Sequence, residues 1–346
     1  MSFDPQNILV IDFGQLGDVV LSLPALRSIR ERFPSAHNTI AVGKPGAEVI
    51  NLSGYANDTL VVDRVALRDG FKLLSLLRVF ELVKAVRRRK FDFVIDLHSL
   101  SETNLLGFLS GAPKRLYSRR HGRSLDFLSN FQPRPPAEAE SSERHLIDRY
   151  LDVLIPLGVK SADRIPRLRT GKTENEFVEQ ILSTAKVAPG APLVGLFPGA
   201  GHPGRRWPLD KFADLADYLM RNDGVRVLVF AGPEEQALVK EMRKVFPPTT
   251  LILDRLTIPQ LAATQARLAV FISNDTGPMH IAVAVGTPVV ALLDRPTPNS
   301  FVPIEDHHRV MYGQTIKEIT TDDVYAVARE LLTLNRMSKI LAGSKQ

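Results

Sequence analysis

The chain has 346 residues, too many for one comfortable hydrophobic core, so two domains are expected. Hydrophobic residues make up 44% and charged residues 24%, which excludes wholesale disorder, and the lack of cysteine excludes disulfides and thiolate metal sites. A net charge of +6 with a pI near 9.5 favours an anionic partner.

The N-terminal run Met1-Ser2-Phe3-Asp4-Pro5-Gln6 lacks the basic and apolar regions of a secretory signal. No apolar run is long enough to span a bilayer. A cytoplasmic protein is expected, peripheral at the inner membrane if it touches a membrane at all.

Ile8-Leu9-Val10-Ile11 reads as a strand buried on both faces and ended by Asp12-Phe13-Gly14. A helix follows, with Leu21, Ala25, Leu26 and Ile29 on one side and Arg27, Arg30, Glu31 and Arg32 on the other. Pro34 closes it. Thr39–Val42, Thr59–Val62 and Phe91–Asp96 read as further strands, the last after a helix ending in Arg87-Arg88-Arg89-Lys90. Gln132–Ser142 is proline- and glutamate-rich and reads as an exposed loop. A helix near His145–Leu157 ends at Gly158, and the polar, basic stretch Val159–Thr173 is the expected domain linker.

The second half restarts the same rhythm. Strands are expected at Leu193–Phe197, Val225–Phe230, Thr250–Leu253, Leu268–Ile272 and Val289–Leu293. Helices are expected at Lys211–Met220, about Glu234–Val245, and Asp322–Leu332. This alternation predicts an α/β protein of two doubly wound parallel sheets, divided as 1–165 and 166–346, with the last helix free to pack back on the first domain. Ligands of such sheets bind beyond the carboxyl ends of the strands, so two such domains place a cleft between those ends.

Charge is unevenly spread. Ten Lys/Arg against three acids lie between Lys84 and Arg123, so the remainder is close to neutral. Few aromatics are interleaved and no reader motif is present, which disfavours nucleic acid. An anionic acceptor or lipid surface fits better. For Arg87–Lys90 a solvated helix end is the simpler account.

Four segments have the pattern of a ligand site. In Val270 to Ala284 a buried strand runs through Ser273-Asn274-Asp275-Thr276-Gly277-Pro278-Met279-His280 into a helix of small residues. Asp275 or Thr276 can cap that helix, and its free N–H groups suit a phosphate. In Phe197 to Pro208, glycines allow close backbone approach and Arg205 and Arg206 suit a diphosphate. Trp207-Pro208 would anchor that loop. Gly14-Gln15-Leu16-Gly17-Asp18 opens the first helix without being GxGxxG. Asp18 there either complements the helix dipole, which spacing alone favours, or serves as a general base. In Gly232-Pro233-Glu234-Glu235 a carboxylate after a strand suits ribose hydroxyls, although an acidic first helical turn explains at least one of the two. There is no GxxxxGK[ST] loop, no Asp-x-Asp, and no histidine pair with metal-ligand spacing, so no metal or cofactor is expected. His307-His308 reads as a solvated loop.

In their order and spacing these segments resemble the ADP-heptose:lipopolysaccharide heptosyltransferases, glycosyltransferase family 9, from about Ile8 to about Leu293. The most specific pieces are Leu16-Gly17-Asp18-Val19 with Leu23-Pro24-Ala25-Leu26, then Arg205-Arg206-Trp207-Pro208, then Ser273 to His280. The resemblance implies a GT-B architecture of two Rossmann-like domains facing across a cleft, the first for the acceptor and the second for the nucleotide sugar. It implies an inverting, metal-independent transfer of heptose or a close sugar to an anionic, lipid-linked inner-core acceptor. By it Asp18 is the base and Arg205 neutralises the departing ADP. Asp275, Thr276, Gly277, Met279 and His280 line the donor pocket with Gly201 and Arg206. Glu234 serves the ribose and Leu256 flanks the adenine. Gly17, His98, Lys114, Arg115, Arg119 and Arg120 form the acceptor side. Two departures stand out: Ala200-Gly201-His202 carries no hydroxyl, and Glu102 stands after Asp96 where a cation is usual. A nucleotide-sugar isomerase of the same architecture and a non-catalytic nucleotide-sugar binder are the alternatives.

Overall fold

A computed structural model describes residues 3–63, 72–120, 122–137, 144–159, 162–294 and 299–343. The chain forms two compact units, Met1–Pro166 and Arg167–Gln346. The first holds β1 (Asn7–Asp12), β2 (His37–Gly43), β3 (Asp58–Val62), β4 (Phe93–Asp96) and β5 (Lys114–Tyr117), ordered β3-β2-β1-β4-β5. The second holds β6 (Leu193–Phe197), β7 (Arg226–Phe230), β8 (Leu251–Leu253), β9 (Val270–Asn274), β10 (Val289–Asp294) and β11 (Arg309–Gly313), ordered β11-β10-β9-β6-β7-β8. Every pairing in both sheets is parallel.

The two sheets repeat one winding. The chain runs outward from its first strand, then returns to lay the fourth beside the first. The reversal falls between β1 and β4 in one unit and between β6 and β9 in the other. A crevice opens at such a reversal, beyond the carboxyl ends of the two strands. Asp12 and Asp96 end the first pair; Phe197 and Asn274 end the second.

The first helix, Leu16–Arg32, is more buried than a one-sided pattern predicts: Val19 through Leu26, Ser28 and Ile29 are all covered. Ser22 and Ser28 satisfy their hydroxyls within the helix, donating to Val19 O and Pro24 O at 3.0 and 2.9 Å. Its arginines are not merely solvated. Arg27 donates to Asp163 O and Ile165 O, and Arg32 to Leu157 O. These bonds fasten the stretch 157–165 to the first unit. Leu168 N–H, by contrast, donates to Ala284 O at 2.8 Å in the second unit. The boundary therefore falls between Ile165 and Leu168, inside the expected linker, whose last residues already start the helix Lys172–Thr184.

The sequence pattern missed β5 and β11, both edge strands. Their residues, Lys-Arg-Leu-Tyr and Arg-Val-Met-Tyr-Gly, carry the polar decoration that edges need, which hides them from a hydrophobic count. It also missed the helices Lys44–Ser53, Ser101–Leu109 and Ile258–Gln265. The final helix, Thr321–Gly343, is longer than expected and buries Val324, Ala328, Leu331 and Leu332 in the core of the second unit. Part of the loop Gln132–Ser142 lies outside the described residues; within it, Pro135 is buried.

Candidate active site

In the first unit the crevice collects ionisable groups. Asp12, at the end of β1, is fully buried. Its Oδ1 accepts the Gly14 N–H at 3.0 Å and lies 4.0 Å from His98 Nδ1. His98 is held there because its own N–H bonds Ile11 O. Asp18 sits in the first turn of the helix, and its Oδ2 accepts the Gln15 N–H at 2.9 Å. Gly14 permits this approach: a Cβ there would stand 2.5 Å from Asp18 Cβ and 3.1 Å from Asp12 Oδ1. Desolvation pushes the Asp12 carboxyl up to about 6; the Asp18 charge adds to the rise, while the Gly14 N–H and Arg120 oppose it.

Asp96, at the end of β4, is also fully buried, and burial raises it to about 7. Its oxygens accept the Ser99 N–H and Asn104 Nδ2, both at 2.7 Å. The Asn104 side-chain Oδ1 in turn accepts the Leu125 N–H at 2.8 Å. Arg120, on the segment following β5, lowers both carboxylates through its charge. The buried Tyr150 hydroxyl is raised first by burial and then by Asp12 and Asp18, so it too belongs to this group. The sequence does not single out Asp12, Asp96, Asn104 or Tyr150: the first two read as strand ends, Tyr150 as part of a helix, and Asn104 lies on a helix that the pattern misses.

Two expected members are misplaced. β5 runs parallel to β4 with Lys114 opposite Phe93 and Arg115 opposite Val94. Both therefore lie toward the amino end of the sheet, away from the crevice. Arg115 is also spent internally, donating to Ala112 O and Leu128 O. Arg119 and Arg120 follow the carboxyl end of β5. Glu102 is exposed in the first turn of Ser101–Leu109.

In the second unit the crevice is built from backbone and one amide. Asn274, buried at the end of β9, donates Nδ2 to Pro198 O and Gly199 O at 3.1 and 2.9 Å and accepts the Trp207 N–H at 3.1 Å. One side chain thus fixes both ends of the loop 198–207. Trp207 is itself buried, its indole N–H bonding Ile319 O at 2.9 Å. Arg206 braces the loop from inside through Ala200 O. Arg205 remains half-exposed, 3.9 Å from Asp275 Oδ2. Gly201 is exposed, with open space around its Cα.

Thr276 stands at the N-cap of the helix Gly277–Ala284, yet its side chain makes no capping bond; its hydroxyl lies 3.1 Å from that of Ser273. The N-cap side chain thus leaves the N–H groups of the first helical turn to other partners, and such a helix start suits an anion. Met279 and His280 are buried, so Met279 packs the helix onto the sheet instead of lining an open pocket. Of the paired glutamates, Glu234 is exposed whereas Glu235 is buried and accepts the Gly232 N–H at 3.0 Å. Burial raises the Glu235 carboxyl. Gly199 fits against it, since a Cβ there would stand 2.4 Å from that carboxyl. Leu256 is half-buried just after β8.

Of the pair expected in a solvated loop, His307 is indeed exposed in a turn, whereas His308 is not solvated. His308 is buried, and burial drops its imidazole to about 3. With Glu305 the two histidines are close enough to suggest a metal centre. The hydrogen bonding argues otherwise. His308 Nδ1 accepts the Val289 N–H at 3.1 Å, which puts the ring proton on Nε2, the nitrogen facing Glu305 at 3.5 Å. That nitrogen has no lone pair to give a cation, and His308 instead braces β10.

Two Rossmann-type units, each with a built crevice at its winding reversal, define the GT-B class of nucleotide-sugar enzymes. The model of glycosyltransferase family 9 (heptosyltransferase) matches residues 79–324. The chain belongs to that family and is a glycosyltransferase, which sets aside the isomerase alternative. Lipopolysaccharide heptosyltransferase 3 of Escherichia coli is 25% identical over 281 residues, covering 80% of each chain. Among solved structures, a family 9 glycosyltransferase from Veillonella parvula is 25% identical, with a TM-score of 0.83 over 96% of this chain and 99% of that one. The E. coli ADP-heptose lps heptosyltransferase II superposes with a TM-score of 0.77 at 20% identity, over 96% and 100% of the two chains.

Proposed function

We propose that this enzyme moves heptose, or a close sugar, from an ADP-sugar to an anionic, lipid-linked inner-core acceptor of lipopolysaccharide, with inversion and without a metal. The observation that carries this reading is the division of labour between the crevices: one gathers groups that handle protons, the other leaves a cation and a helix start for an anion. A relative named for ADP-heptose supports an ADP-sugar donor, and relatives named for lipopolysaccharide support the acceptor class.

Asp18 takes the proton of the acceptor hydroxyl as that oxygen attacks the anomeric carbon. The bond from that carbon to the diphosphate breaks, and ADP leaves with the negative charge. Arg205, the backbone at Gly201 and the first turn at Asp275, Thr276 and Gly277 receive it, which makes a metal or other cofactor unnecessary. Arg206 and His280 hold that wall in shape. Glu234 serves the ribose and Leu256 the adenine, each standing after a strand of the second sheet. Gly17, His98, Arg119 and Arg120 line the acceptor side. The reading implies work at the cytoplasmic face of the inner membrane.

A panel of ADP- and UDP-sugars scored by thermal shift tests the donor. At about a hundredfold excess over its dissociation constant the true donor adds roughly 2.7 kcal/mol. Stabilisation by UDP-sugars alone, or transfer abolished by EDTA, would overturn the reading.

A further inference from the structure

Phe127 is 70% exposed, in the turn Asp126–Leu128. The turn is tied to the helix Ser101–Leu109 by the Leu125 N–H, which donates to Asn104 Oδ1. On that helix Thr103, Asn104, Leu106 and Gly107 are buried, whereas Leu105 and Phe108 are each 44% exposed. Single exposed apolar residues are ordinary, but here three large ones share neighbouring elements.

Arginines surround them. The Arg115 guanidinium stands 5.3 Å from the Phe108 ring centre. Arg119 and Arg134 reach Asp126, beside Phe127, at 3.5 and 3.2 Å. Arg123 is exposed, its carbonyl accepting the Ser101 hydroxyl at the helix start. Among the described residues of these elements, only Glu102 and Asp126 oppose them.

We propose that this face seats the enzyme on an anionic lipid bilayer, with Leu105, Phe108 and Phe127 entering the headgroup boundary and the arginines meeting lipid phosphates. Charge and apolarity together choose the occupant. A soluble anionic glycan would leave the aromatic rings and Leu105 in water, and a purely apolar protein groove would leave the excess of arginines over Asp126 and Glu102 without counter-charge. A bilayer boundary satisfies both. The inference deepens the proposed function, resting on its lipid-linked acceptor, and gives that acceptor a membrane to sit in.

The test is co-sedimentation of the full chain with phosphatidylcholine vesicles, with and without phosphatidylglycerol, and with neither donor nor acceptor present. Binding should require phosphatidylglycerol and weaken as salt is added. F108S/F127S should lose about tenfold or more in vesicle affinity, with only a small drop in melting temperature, since Phe127 is 70% exposed and Phe108 44%. No binding at low salt, or equal binding by F108S/F127S, overturns the inference. So does a dimer in sedimentation velocity that the same substitutions dissolve, which would make a second copy the occupant. Vesicle binding without any sugar transfer would leave this inference standing and defeat the proposed function; transfer without vesicle binding would do the reverse.

Discussion

The two crevices of this enzyme share a winding and differ in what they are made of. In the first unit the strand ends carry carboxylates, and burial works against their charge: Asp12 and Asp96 are raised to about 6 and about 7. In the second unit the strand end carries a neutral amide, Asn274, which spends itself on the backbone of the facing loop. One scaffold therefore yields a crevice of buried, protonatable carboxylates and, by the function proposed above, a crevice that receives an anion. The lesson is that the reversal of strand order fixes where a site lies, while the residue ending each strand decides its chemistry.

The sharpest way to break that comparison is Asp18→Asn. If the first crevice handles the acceptor proton, transfer falls by about a thousandfold, in the range of a lost general base. Binding of ADP, read by calorimetry, stays within twofold of wild type by this account. Loss of ADP binding would mean that the division between the crevices is wrong. Arg205→Gln attacks the other side. Removing one charge from the leaving group should lower kcat by about a hundredfold. Recovery of that loss with a donor bearing a better leaving group would mark the residue as acting on bond cleavage and not on folding.

Asn274→Ala tests whether the second crevice is a matter of shape. It strips the partner from the buried Trp207 N–H and frees the carbonyls of Pro198 and Gly199. A cost of roughly 3 kcal/mol in urea unfolding is expected, since buried groups left unsatisfied lose about 1–3 kcal/mol each and the loop can relax. ADP affinity should fall with it. A stable variant with full ADP affinity would show that the loop is held by other means.

How far this contrast is legible in the sequence follows from the range of the interactions. The loop carrying Asp18 and the run Ser273 to His280 are strand–turn–helix units, and a local pattern announces them. Asn274 lies within such a run, but its work is done on residues 67 to 76 positions away, which no local pattern carries. Asp12 and Asp96 look like ordinary strand-ending polar residues; only the packing of Tyr150, Asn104 and the helix 16–32 around them makes them buried acids. Lys114 and Arg115 show the opposite failure. Their charge suggests a binding patch, whereas it decorates an edge strand at the wrong end of the sheet. His308 fails in the same way: polarity suggests solvent, while one bond to Val289 N–H puts the ring inside.

The smallest and most specific test concerns Asp12. Its folded-state value is raised from 3.8 to about 6, chiefly by burial, with Asp18, His98, Arg120 and Tyr150 around it. A raised carboxylate binds its proton more tightly in the folded state. The stability it contributes is therefore fully present below about pH 4 and is lost as pH rises to about 6. Asp12→Asn keeps an oxygen for the Gly14 N–H and does not titrate. Its unfolding free energy should thus gain on wild type between about pH 4 and about pH 6 and then level off. The gain should reach about 2–3 kcal/mol, because each tenfold difference in proton affinity between the folded and unfolded chain is worth about 1.36 kcal/mol. Carboxylates that do not feel the Asp12 charge titrate alike in both proteins and cancel in the difference, and only the neighbouring Asp18 contributes a smaller coupled change. A flat difference across that window would mean that Asp12 is ionised beside Asp18. The first crevice would then hold two anions, and the proton assigned to Asp18 would have to be shared between them.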